Sequence, residues 1–141
     1  MSSPSKTLKT AREKSGKLPE EIASLVDLGK DKYYDLESDD DEVEINTAIG
    51  ELRDICAVLK IPIQSLFGAS VNPSDRVSPE DLVDRIKNHL QQTKTNIEAF
   101  EDRVDFTIRS CLENPSDVRN WNIECLRAVC GEIGVNWIHA L

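Results

Sequence analysis

The residue types that most often carry chemistry are sparse in this sequence. Its four cysteines (Cys56, Cys111, Cys125 and Cys130) form no CxxC pair, and no paired His/Cys spacing suggests zinc. His89 and His139 stand alone on helical stretches, without a nucleophile elbow, a metal spacing or a phosphate loop. No catalytic residue, metal site or cofactor is therefore expected. The cysteines fall on apolar faces of predicted helices and read as buried free thiols, packing like small hydrophobes. What remains is electrostatics. The net charge of −9 has the wrong sign for a typical duplex-binding domain, whose affinity comes largely from phosphate contacts. Residues 1–67 carry −5 and the remainder −4, yet the charge is segregated. Within residues 1–32, Lys6, Lys9, Arg12, Lys14, Lys17, Lys30 and Lys32 outnumber five acids. Much of the first half's acidity lies between Glu37 and Glu44.

The elements that must position these charges are helices. Residues 1–5 read as a disordered lead, with Ser5 or Thr7 as cap of a first helix from Leu8 to about Lys14. Gly16 suits a left-handed end to it. Pro19, Glu20 and Glu21 suit the start of a second helix, whose apolar face is Ile22, Leu25 and Val26. Val26-Asp27-Leu28-Gly29 is the turn, since Asp tolerates left-handed backbone. A third helix covers Lys30 to about Ser38, and Asp39-Asp40-Asp41-Glu42 reads as an acidic loop before a longer helix, Ile45 to Leu59. A short turn from Pro62 ends at Phe67. Residues 68–77 are a polar linker. Ser78-Pro79-Glu80-Asp81 then opens a helix to about Gln92, with Leu82, Val83, Ile86 and Leu90 on one face. Asn96 caps a helix carrying Ile97, Phe100 and Val104, and a short helix ends near Leu112-Glu113. A helix from Trp121 to Ile133 and a final turn to Leu141 complete an all-α chain.

At 141 residues the chain suits one compact domain or two very small ones. No stretch approaches a membrane span, and Met-Ser-Ser-Pro-Ser lacks the features of a secretory signal, so a cytoplasmic protein with no membrane partner is expected.

The second half also rewrites the first. Val26-Asp27-Leu28 returns as Val104-Asp105-Phe106, Leu36-Glu37 as Leu112-Glu113, and Leu52 to Cys56 as Leu126 to Cys130. The separations are 78, 76 and 74 residues, so one unit has been used twice with about two residues lost at each of two places.

The first copy, Leu8 to Phe67, resembles the helix-turn-helix of the phage repressor and Cro superfamily, the XRE family. Arg12, Ile22-Ala23, Val26-Asp27-Leu28, Tyr33, Leu36-Glu37, Leu52 to Leu59 and Ile61 to Phe67 carry the resemblance. It implies two tandem helical units of lambda-repressor-like type: a helix-turn-helix domain at 1–67, a linker at 68–77 and a degenerate second copy at 78–141. In such domains the third helix enters the major groove with its first residues facing base edges. That role falls on Lys30, Asp31, Lys32 and Tyr34, with Lys17 and Lys14 near the DNA backbone. Arg12 and Glu37 resemble a structural pair tying the first helix to the third. The sequence departs from the family at Pro19 and Glu20, where a small polar phosphate-binding residue is frequent.

Leu90 falls where Arg12 was, and Thr107, Ile108 and Arg109 replace the lysines, with Ile108 suited to packing or partner contact. Trp121 and Trp137 either fill the second core or anchor an interface. The resemblance implies a transcriptional regulator whose first unit binds DNA and whose second dimerises or binds a partner. The alternative is an immunity protein or antitoxin that has lost DNA reading and neutralises a basic toxin through Asp31, Asp35, Asp39, Asp40, Asp41, Glu42 and Glu44.

Overall fold

The computed structural model describes residues 3–141, which are all-α, with no strand among them. The chain divides into two compact units, one ending at Ser70 and the other spanning Val71–Leu141. No helix among the described residues is long and apolar enough to cross a membrane.

The first unit contains α1 (Pro4–Ser15), α2 (Pro19–Leu25), α3 (Lys30–Ser38), α4 (Asp40–Glu44) and α5 (Ile49–Leu59), closed by a 3-10 helix, Ile63–Phe67. Leu8, Ile22, Tyr33, Leu36, Val43, Ile49, Leu52, Ile55 and Leu66 are fully enclosed and form its core. Ala23, 2 % exposed, is the small residue on α2, and Leu28 donates its N–H to the Ala23 carbonyl at 2.8 Å, closing the turn tightly. Leu25, expected on the apolar face of this helix, is instead 62 % exposed.

Three boundaries differ from expectation, each for a local reason. α1 starts at Pro4 because Ser3 caps it, and Ser5 is buried where it donates to the Asp40 carboxylate at 2.7 Å. The acidic stretch is a helix, α4, with Asp39 as its cap accepting the Asp41 N–H at 2.9 Å. Acids in a first turn favour this, since they meet the positive end of the helix dipole. α5 begins at Ile49 rather than Ile45, because Thr47 turns in to bond the Glu42 carbonyl and Glu51 reaches back to the Ala48 N–H.

The second unit contains α6 (Pro79–Thr93), α7 (Ile97–Val104), α8 (Arg109–Glu113), a 3-10 helix (Pro115–Asn120), α9 (Ile123–Ile133) and α10 (Trp137–Ala140). Residues 71–77, part of the expected linker, belong to it. Val77 is buried, and its N–H donates to the His139 carbonyl at 2.8 Å. Asn122 caps α9, accepting the Cys125 N–H, so this helix begins two residues after Trp121. Trp121 is a core residue, whereas Trp137 is half-buried beneath the Arg127 guanidinium, 4.5 Å from its ring centre.

Left-handed backbone recurs in register. Gly16 and Lys94 (φ 74° and 53°) lie 78 residues apart, as do Asp27 and Asp105 (56° and 65°). Lys60 and Gly134 (58° and 76°) lie 74 apart. Two lysines accept a conformation that glycine adopts freely, because in both copies the helix must stop there. The middle of the repeat follows a different spacing. The buried pair Tyr33 and Leu36 corresponds to the buried pair Ile108 and Cys111, and Val43 to Val118, all 75 residues apart. Glu37 therefore corresponds to Leu112 rather than to Glu113. The second copy has lost three residues between its turn and the core of its third helix. α8 has five residues against nine in α3.

Candidate nucleic-acid interface

The lost residues bear directly on function, because they are the first turn of the third helix. In the first unit that turn is present. Gly29 precedes α3 in extended backbone, and no side chain caps the helix. Lys30 and Asp31 are exposed at its start, and Lys14 is exposed on α1. Lys17 is half-buried, its carbonyl accepting from the Arg12 guanidinium at 3.1 Å.

Two residues expected to meet DNA are engaged within the protein. The Lys32 ammonium lies 3.3 Å from the Glu42 carboxylate and also donates to the Asn46 carbonyl, tying α3 to α4. The Tyr34 hydroxyl donates to Glu20 at 2.5 Å, which holds the Glu20 carboxyl below its ordinary range and pushes the phenol up. Glu20 thus takes a position facing α3 where a phosphate-binding residue was wanted, and binds a tyrosine instead.

The acidic residues separate in the same way. The Asp40 carboxylate accepts from the Ser3 hydroxyl (2.5 Å) and from the backbone and hydroxyl of Ser5, and these bonds, Ser3 first, hold its pKa down. It fastens α4 to the start of α1, and Glu42 binds Lys32 and Asn46. Asp39 is a helix cap, and Glu44 is half-buried. Asp31, Asp35, Asp39 and Asp41 are the exposed members of the set. They do not form the single acidic loop that the sequence suggested.

Beneath this face, Arg12 and Glu37 form a nearly buried bidentate pair, with Nε and Nη2 2.6 and 3.0 Å from the two carboxylate oxygens. Their side chains are 12 % and 7 % exposed, and the Glu37 bond holds the guanidinium more firmly protonated than usual. Tyr33 is enclosed beside them. Its burial, then Glu37, raises the phenol pKa. The pair fixes α1 to α3 and so sets where the first turn of α3 points.

In the second unit, Glu101 covers the start of the shortened helix. One carboxylate oxygen accepts the Ile108 and Arg109 N–H groups at 2.7 and 3.2 Å. The other accepts from the Arg109 guanidinium at 2.5 and 3.2 Å. Glu101 stands 78 residues after Ala23. The second copy thus puts a carboxylate where the first has the small residue on which α3 packs. The Arg109 bond is the main cause of a lowered Glu101 pKa, reinforced by the Ile108 N–H against the cost of burial. A folded-state pKa below the unfolded one contributes stability that is complete above about 4.3 and is lost as pH falls through the folded value. Glu101→Ala is therefore expected to cost about 2 kcal/mol near neutrality, mostly from the uncapped helix. Urea unfolding followed by tryptophan fluorescence should show that difference shrinking as the pH is lowered below about 4.

The four thiols are buried core groups. Burial raises Cys56, Cys125 and Cys130 to about 12 and Cys111 to about 11, so all four are protonated, unreactive core groups. Among the described residues, no three His, Cys, Asp or Glu side chains group to hold a metal ion.

No family model, no curated protein and no solved structure matches this chain.

Proposed function

We propose that the protein is a small cytoplasmic DNA-binding regulator of helix-turn-helix type, in which the first unit reads DNA and the second serves dimerisation or partner binding. The observation that carries this reading is the asymmetry of the third helices. α3 keeps an uncapped, exposed first turn with Lys30 and Asp31 at its head, while α8 lacks that turn and is closed by Glu101. Backbone N–H groups at a helix start and neighbouring lysines are the groups that hold phosphates in such an interface.

With Lys32 engaged, few cations are left for the backbone. Lys14, Lys17 and Lys30 supply about three phosphate contacts per protomer, so log K should fall with log salt at a slope of about −3. The test is salt-dependent binding to DNA from the upstream region of its own gene. Lys30→Ala should weaken binding at all salt concentrations and flatten the slope by about one, with Lys32→Ala changing neither. No binding above the non-specific level at low salt would remove the regulator reading.

A second reading, a protein-binding module such as an immunity protein or antitoxin, is favoured by one observation. Leu18, which precedes α2 in extended backbone, and Leu25, the last residue of α2, are 60 % and 62 % exposed. At the matching positions the second copy has Asn96 and Arg103, so the fold itself does not require leucine there. With Asp31, Asp35, Asp39 and Asp41 also exposed, the first unit offers acids and apolar anchors to a basic partner. Co-purification with the product of a neighbouring gene, in place of DNA retention, is its test.

A further inference from the structure

Away from the start of α3, the first unit contains a groove of about 570 Å³ between α1 and the segment that follows α5. Ala11, Leu59 and Ile61 are its apolar lining, with Thr7, Thr10 and Ser65 beside them, and the Thr7 and Ser65 hydroxyls donate to the Ser3 and Pro62 carbonyls. Lys6 and Lys14 border it, and no acidic residue does, in a chain with 26 acids against 17 lysines and arginines. The two lysines are eight residues apart on one helix, about 12 Å along its axis. Lys6 also lies within electrostatic reach of Asp40, whose carboxylate is already taken up by Ser3 and Ser5.

The second copy shows what the fold requires at these positions. Leu59 and Ile61 are matched by Ile133 and Val135, so the apolar lining belongs to the scaffold. The space and the charge do not. Ala11 is matched by His89, Thr7 by Arg85 and Ser65 by His139, all far larger, and Lys6 is matched by Asp84. The His89 ring there lies edge-on to Phe100 at 5.9 Å. The first copy has small residues and cations at positions where the same fold accepts bulk and an acid.

We propose that this groove binds a small organic anion, a carboxylate on an apolar body, with the chain lying over Ala11, Leu59 and Ile61 and the carboxylate at Lys6 or Lys14. A volume of this size suits a ligand of that class. The proposal does not depend on DNA binding, because its test contains no DNA.

The test is titration of the full chain with octanoate, followed by amide NMR shifts, with octylammonium and octanol as charge-reversed and neutral controls. Octanoate should saturate with a Kd of about 1 mM or tighter, moving residues 6–14 and 59–65. Lys6→Gln/Lys14→Gln, at exposed positions, should weaken it by about tenfold. Ala11→His, which installs the second copy's residue, should abolish it. Should Ala11→His fail to fold, the lysine variant alone decides. Absence of saturation by about 10 mM, an equal response to octylammonium or octanol, or unchanged affinity in the lysine variant would each overturn the proposal.

Discussion

Arg12→Ala is expected to destabilise the first unit by about 3 kcal/mol, because it strands the Glu37 carboxylate beside the enclosed Tyr33 hydroxyl. A surface pair would be worth a fraction of this, since water screens both partners. Here the partners are 12 % and 7 % exposed and the geometry is bidentate, so the loss should approach that of a buried pair. The two units can be followed separately. Both tyrosines, Tyr33 and Tyr34, lie in the first and both tryptophans in the second, so tyrosine absorbance reports the unit in question during urea unfolding. The second copy supplies the complementary variant. At the positions of Arg12 and Glu37 it has Leu90 and Leu112, both half-buried. Arg12→Leu/Tyr33→Phe/Glu37→Leu, which removes both charges and the hydroxyl together, should therefore recover most of the loss, to within about 1 kcal/mol of the parent. If the triple variant were as unstable as Arg12→Ala, the equivalence of the two positions would be wrong.

Ile108→Ala should cost the second unit about 3 kcal/mol, within the usual range for removing a fully enclosed aliphatic side chain. Its neighbour Thr107 is exposed, and Thr107→Ala should change stability by less than about 0.5 kcal/mol. The contrast separates two views of α8. If Ile108 pointed outward as a reading or partner residue, its truncation would barely move the tryptophan-reported transition. As the counterpart of Tyr33 it is a core residue, and the shortened helix is held between it and the Glu101 cap.

The helical pattern and the Gly16 and Asp27 turns were legible in the sequence, because each depends on residue type at short range or on a strong repeat, whereas the Arg12–Glu37 pair, 25 residues apart, was legible only through the family resemblance. The register within the third helix was not. Leu36-Glu37 and Leu112-Glu113 match in letters, but burial aligns Leu36 with Cys111, and identity of two residues cannot outweigh which side chain the core encloses. The state of the charges was equally hidden. Lys32, Tyr34 and Asp40 look free in a linear chain, and each is taken up by a residue ten to thirty-seven positions away, at Glu42, Glu20 and Ser3. The acidic run Asp39 to Glu42 reads as a polar loop in the sequence, and it is a helix. Asp39 accepts the Asp41 N–H as the cap, and the serines at the start of α1 donate to Asp40, which together make it a helix.

The central claim is that one scaffold was used twice and that only the first copy keeps an open reading turn. Amide shifts of the full chain, recorded while DNA from its upstream region is added at low salt, test this most directly. The account predicts perturbations concentrated at residues 29–34 and around Lys14 and Lys17, with none at 107–113. Perturbations at the start of α8, or shifts confined to α4, would contradict it.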